Sequence, residues 1–135
     1  MKVKRAYLAI SFSDRHTLDT EISYLVKKVK EVGVEVFVFV NHYNFKQNQE
    51  IEMMKTAFNE LDKSDLLLAE LTKKSIGVGI EIGYAYANQK PIIYFRKKGS
   101  DYSTTAAGCA DYIIEYTDKI EWVEKLINII SKLNK

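Results

Sequence analysis

Ser64-Asp65-Leu66-Leu67-Leu68-Ala69-Glu70-Leu71-Thr72-Lys73-Lys74-Ser75-Ile76-Gly77-Val78-Gly79-Ile80-Glu81-Ile82-Gly83-Tyr84-Ala85 reads as a strand, a small-residue loop and the opening of a helix. The apolar run 66–71 is short enough for a buried parallel strand rather than a helix. The helix-compatible segment behind the loop carries a carboxylate, Glu81, near its first turn. In a parallel α/β sheet, ligands bind outside the carboxyl ends of the strands, where this loop lies. Gly77 and Gly79 let the backbone approach a ligand closely, and the free N–H groups of a helix start favour an anion. The stretch therefore predicts a phosphate-recognising loop with a carboxylate beside it.

Outward from this stretch, strand and helix signals alternate. Residues 5–12 read as a first strand. Residues 17–31 read as an amphipathic helix with Leu18, Ile22, Leu25, Val26 and Val29 on one face, ended by Gly33. The β-branched and aromatic run 34–40 is a second strand, 41–47 a polar loop, and 50–63 a helix spaced through Ile51, Met54, Phe58 and Leu61. After the third strand, 66–71, comes the helix 80–88 with Glu81. Pro91 precedes a fourth strand, 92–95, at a position where a missing N–H is tolerated. A fifth strand, 112–116, and a closing helix, 120–133, complete the chain. Such alternation with short connections predicts a five-stranded, doubly wound, flavodoxin-like α/β domain, its parallel sheet covered by helices on both faces.

The 135 residues are expected to form one domain, 1–135, large enough to bury a core. No apolar run approaches the length of a membrane span, so no membrane partner is expected. The basic start, residues 1–5, leads into a strand-like run without a cleavage site and reads poorly as a signal peptide. One cysteine, Cys109, excludes an internal disulfide and fits a reducing cytoplasm. Cys109 itself reads as a small buried apolar residue at the start of the last strand. One Cys with two separated His offers no zinc spacing, and neither a metal nor a cofactor is implied. A formal charge of +2, with lysines scattered over helix faces, argues against polymeric nucleic acid. The one basic cluster, Arg96-Lys97-Lys98, reads as a solvated loop end, or as an attractor for a phosphorylated substrate.

The pattern Ser75-Ile76-Gly77-Val78-Gly79-Ile80-Glu81-Ile82-Gly83 resembles the nucleophile segment of the 2′-deoxynucleoside 5′-monophosphate N-hydrolases, within the nucleoside 2-deoxyribosyltransferase superfamily. Two flanks resemble it as well: Ala6-Tyr7-Leu8-Ala9, and Tyr102-Ser103-Thr104-Thr105-Ala106-Ala107-Gly108. The resemblance runs from about residue 6 to 116. It is strongest over 65–95 and loose over 33–58. It implies the flavodoxin-like fold, a small-molecule nucleotide substrate and a homodimer.

Glu81 has two readings from its position. It either complements the helix N-terminus, as acidic residues often do, or attacks the anomeric carbon of a sugar to form a glycosyl ester that water resolves. The resemblance favours the nucleophile. Tyr7, in an apolar strand, is by itself a core tyrosine with its hydroxyl at the rim; the resemblance assigns it to the catalytic pocket, holding the nucleophile. Ser11, Ser75 and Ser103 match the family's phosphate-binding serines, with Ser103 supplied to the neighbouring subunit's site. The family's basic residue behind the first serine is replaced by Ser13, so Arg15 is the candidate substitute, or else a surface partner of Asp14.

A larger departure is Ala57, which stands where family members carry an aspartate that handles protons at the base or the attacking water. Glu52, Glu60 and Asp62 point to different sides of their helix. That leaves Glu70, at the end of the third strand, as a candidate acid from the pocket floor. His42 reads as a solvent-facing loop histidine that could touch a base. The resulting expectation is hydrolysis of the N-glycosidic bond of a (deoxy)nucleoside 5′-monophosphate. Two alternatives stand beside it: a deoxyribosyl transferase, disfavoured by Lys74-Ser75-Ile76-Gly77 in place of an acidic loop, and a nucleotide-binding sensor, favoured by Ala57.

Overall fold

Five short runs rich in β-branched and aliphatic residues pair into one all-parallel sheet: β1 (Arg5–Ile10), β2 (Glu35–Val38), β3 (Leu66–Glu70), β4 (Ile92–Lys97) and β5 (Tyr112–Tyr116), in the order β2-β1-β3-β4-β5. The computed structural model describes residues 1–14, 16–42 and 44–135. Parallel neighbours need crossovers, supplied by α1 (Asp19–Glu31), α2 (Glu50–Asp62), α3 (Ile76–Ala87) and α4 (Thr104–Cys109). The last helix, α5 (Lys119–Leu133), returns along the sheet. This is the expected doubly wound, flavodoxin-like arrangement.

Strand alternation divides the core in two. Leu8, Ile10, Leu66, Leu68, Ile93, Phe95 and Tyr116 face α1 and α5, where Trp122 stacks on Tyr116 with ring centroids 4.6 Å apart. Tyr7, Ala9, Leu67, Ala69, Ile92 and Tyr94 face the other way, against α2, α3 and α4. The register sets Ile10 opposite Glu70 and Glu70 opposite Phe95, so β1 and β3 finish level while β4 runs two residues further, to Lys97.

Several boundaries differ from the sequence reading. The helix expected at 80–88 begins at Ile76, because the Ser75 hydroxyl accepts the Val78 N–H at 3.3 Å and caps it. Gly77 and Gly79 therefore lie inside the helix rather than in a loop, and Glu81 sits in its second turn. The two glycines hid that start, since Gly disfavours a helix interior by about 0.5–1 kcal/mol each. β1 stops at Ile10 and β2 at Val38, each running into a 3-10 turn, Phe12–Asp14 and Phe39–His42. The six-residue α4 was not foreseen, and Cys109 closes it, half-buried, instead of opening β5. Ile51, read on the inner stripe of α2, is exposed. Gly33 ends the first helix as expected, at φ +87°.

Candidate active site

In this strand order the chain leaves β1 toward β2 on one side, whereas β3 lies on the other. The crevice above the adjoining ends of β1 and β3 is the switch point at which such folds bind ligands. Three connections surround it: the turn after β1, the turn after β2 and the segment from β3 into α3.

Glu81 projects from α3 into this crevice and is only 6% exposed. Its Oε2 accepts a hydrogen bond from the Tyr7 hydroxyl, from the β1 residue that faces α3. The Tyr7 ring is held by Phe37 and Phe39, with centroids 5.6 and 6.1 Å away. Burial lifts the Glu81 carboxyl to about 7, against the opposing pull of the Tyr7 hydrogen bond. Burial and the adjacent carboxylate push the Tyr7 phenol well above its ordinary value, so it remains a donor. A rigid carboxylate that is partly ionised at neutral pH can act as a nucleophile or as a base.

A cavity of about 230 Å³ opens over Glu81. Its walls are Ile10, Phe12, Phe39, Val40, Met53, Met54 and Ala57, and its α3 side is Ser75, Gly77, Val78 and Glu81. Phe39 continues into a ring contact with Phe45 at 6.4 Å. The apolar walls suit the faces of a planar heterocycle. A second cavity, about 400 Å³, lies between α3 and α4 and is bordered by Lys74, Ser75, Gly79, Gly83, Ser103 and Thr105. Although larger, it has no carboxylate in its wall; Glu81 lines the smaller one.

Ser75 borders both cavities. Ser103 mirrors it, capping α4 by accepting the Ala106 N–H at 3.2 Å, while its own N–H reaches the Tyr94 hydroxyl at 2.9 Å. Capping uses an oxygen lone pair and leaves the Ser75 hydroxyl proton available to a phosphate oxygen, while the Ser103 hydroxyl also pairs with that of Thr105 at 3.2 Å. A Cβ on Gly79 or Gly83 would meet nothing within 4 Å, and one on Gly77 would meet only Ser75 Oγ at 3.8 Å. These glycines thus leave open space beside the helix start. Ser11 is buried, its hydroxyl paired with that of Ser13 at 2.8 Å, and Arg15 lies outside the described residues.

The remaining candidates are dispersed. Glu70 has the parity of Leu66 and Leu68 and lies on the α1/α5 face, where Thr72 and Tyr116 donate to it. It is therefore on the other side of the sheet from Glu81, and the expectation of an acid on the pocket floor is corrected. A strand buried on both faces is apolar throughout, so its sequence does not reveal which way Glu70 points. Ala57, by contrast, is 1% exposed and lines the Glu81 cavity. Its neighbours do not replace an acid there. Glu60 pairs with Arg5 at 2.5 Å, Asp62 accepts from the Tyr84 hydroxyl at 2.7 Å, and Glu52 is exposed. His42 is exposed and stacks on Phe37 at 4.5 Å. Arg96 is taken up by Glu115 at 2.7 Å, and Lys97 pairs with Glu21 at 3.7 Å.

Phe12, Phe39 and Met53 were not foreseen in the wall, because their role depends on two 3-10 turns and on the rotation of α2. Among the described residues no cluster of His, Cys, Asp or Glu could hold a metal ion, and no helix is long and apolar enough to cross a membrane.

The family model of nucleoside 2-deoxyribosyltransferase matches residues 6–127. Among solved structures, the CMP N-glycosidase BcmB of Clostridium botulinum aligns with a TM-score of 0.70 and 25% identity, covering 92% of this chain and 99% of that one. The 2-deoxyribosyltransferase of Bacillus psychrosaccharolyticus aligns with a TM-score of 0.68 and 16% identity, over 93% and 95% of the two chains. A conserved protein of Enterococcus faecalis V583 shares the fold at a TM-score of 0.70 and 16% identity, over 94% and 99%. No curated protein sequence matches significantly.

Proposed function

The chain belongs to the nucleoside 2-deoxyribosyltransferase family, and from that premise we propose that it hydrolyses the N-glycosidic bond of a nucleoside 5′-monophosphate. The products are the free base and the (deoxy)ribose 5-phosphate. The observation that carries this reading is the buried Tyr7–Glu81 pair at the mouth of an apolar cavity, with the Ser75-capped start of α3 at its edge. The BcmB structure, described as a CMP N-glycosidase, makes CMP the first substrate to try.

In this mechanism the Glu81 carboxylate attacks C1′ and the base departs with the glycosidic electron pair, forming a glycosyl ester. Water then cleaves the ester. Its oxygen stays on C1′, one proton passes to the departed base, and Glu81 regains its charge. Tyr7 holds the second carboxylate oxygen and fixes its approach. The Ser75 hydroxyl and the first N–H groups of α3 receive the 5′-phosphate.

A homodimer is part of the reading. The outer face of α3 is apolar, with Ile76 85% exposed and Ile80 and Tyr86 beside it. A helix apolar all round is normally covered. The family resemblance implies that a second copy there supplies its Ser103 to this phosphate.

One observation favours a second reading. With Ala57 in the cavity wall, the departing base meets no described carboxyl other than Glu81, which would suit a sensor that binds nucleotides without cleaving them. Incubation with a panel of nucleoside monophosphates and nucleosides, with chromatography of released base, separates the readings. Base and sugar phosphate from a monophosphate support the hydrolase. Base exchange between nucleosides supports the transferase. Saturable binding without release supports the sensor.

A further inference from the structure

Glu70 is the most enclosed carboxylate among the described residues, 1% exposed, and it borders neither cavity. Its Oε1 accepts the Thr72 N–H at 2.8 Å, and its Oε2 accepts the Thr72 hydroxyl at 2.6 Å and the Tyr116 hydroxyl. The Thr72 hydroxyl oxygen in turn accepts the Lys97 N–H at 3.0 Å, and the Leu71 N–H reaches the Phe95 carbonyl at 2.8 Å. One buried carboxylate thus ties the exit of β3 to the ends of β4 and β5. Next along the chain, Lys73 reaches Asp14 at 3.3 Å, joining the same segment to the turn after β1. Ser75 follows two residues later.

A position needed only for packing would be apolar, as Leu66 and Leu68 are on the same face. Burying a carboxylate there is unfavourable, and the three hydrogen bonds it accepts offset that cost only in part: burial still pushes its carboxyl above the ordinary value. The bonds reach the core through Tyr116 on one side and hold the chain's path into α3 through Thr72 on the other.

We propose that Glu70, through Thr72, is a positioning residue for the phosphate-binding segment, holding residues 72–75 so that the Ser75 hydroxyl and the α3 N–H groups face the substrate phosphate before it arrives. A segment ordered in advance loses less entropy on binding, so the effect falls on affinity and not on the chemical step. The proposal rests on the monophosphate reading above.

Thr72→Val keeps the side-chain shape but removes the hydroxyl relay; Thr72→Ser keeps the relay. Thr72→Val is expected to raise KM for the monophosphate about tenfold with kcat nearly unchanged, and Thr72→Ser to restore it. A loss of folded protein alone would lower kcat and leave KM in place. An unchanged KM in Thr72→Val, or an equal defect in Thr72→Ser, overturns the proposal. If the wild-type protein releases base from no monophosphate, the hydrolase reading fails first. Amide hydrogen exchange on the free protein then tests the positioning by itself. Exchange across residues 73–79, relative to α5, should rise about tenfold in Thr72→Val and not in Thr72→Ser. Exchange equal to wild type in Thr72→Val refutes it.

Discussion

Replacing Tyr7 with Phe removes one hydroxyl and leaves the ring between Phe37 and Phe39. That hydroxyl donates to Glu81, whose carboxyl burial has already raised to about 7. A hydrogen bond to a charged group contributes about 1.5–3 kcal/mol. At 1.36 kcal/mol per pH unit, its loss should move the Glu81 titration upward by about one to two pH units. Wild-type Glu81 is about half ionised at pH 7; in Tyr7→Phe about a tenth to a hundredth would be. Base release at pH 7 should therefore fall about fivefold to fiftyfold and recover as pH is raised. The assay is a profile of kcat/KM against pH for both proteins, read at the acidic limb. An acidic limb that does not move, whatever the drop in rate, would refute the claim that Tyr7 acts by stabilising the Glu81 charge.

Glu81→Gln should abolish base release while raising stability at alkaline pH. The folded carboxyl is raised from 4.5 to about 7, so its contribution is full below 4.5 and lost as pH rises through 7. Thermal melts should show Glu81→Gln more stable at pH 8, by up to about 3 kcal/mol, with the gap closing near pH 4. Ser75→Ala should cost about 1 kcal/mol of stability as a lost helix cap, and about 1.5–3 kcal/mol more in monophosphate binding alone. Asp118→Ala, which uncaps α5, is the control that should lose stability and not selectivity. Ala57→Asp places an acid in the wall facing Glu81; it should speed ordinary nucleotides by about 10-fold or more and leave activated leaving groups unchanged. Equal rates on both would mean that the base departs without a proton from that wall.

The strand run 66–71 was legible because buried parallel strands are short and apolar, and 112–116, an edge strand, because it is β-branched and aromatic; the topology follows from alternating strands with helices. What could not be read was orientation. Glu70 and Glu81 both stand in apolar surroundings in the sequence, yet strand parity sends one beneath the sheet while helical phase sends the other into the crevice. The start of α3 was misplaced for a related reason: glycine signals a loop locally, and only the Ser75 cap and the packing of Val78 and Ile82 below make the segment helical. The aromatic wall had no local signal at all. Phe12 and Phe39 reach the cavity because β1 and β2 end early in 3-10 turns, which the apolar runs conceal.

Several unfavourable features of the fold lie on α3. Three glycines lie in one helix, each disfavouring it by about 0.5–1 kcal/mol relative to alanine, and no neighbouring atom of the chain demands their small size. A carboxylate is buried there with its charge disfavoured, and Ile76 faces outward from the helix's first turn. Among the described residues the Tyr7 hydrogen bond and the Ser75 cap offset these features only in part. Each fits an approach from outside: open space at the glycines for a phosphate or a second helix, a partly ionised carboxylate for a sugar carbon, and an apolar face for another copy. By contrast α5 has an Asp118 cap, an acidic residue in its first turn, a basic one in its last, and Trp122, Leu126 and Ile130 turned inward. A breakdown of local consistency of the kind seen in α3 is expected at functional or strained sites.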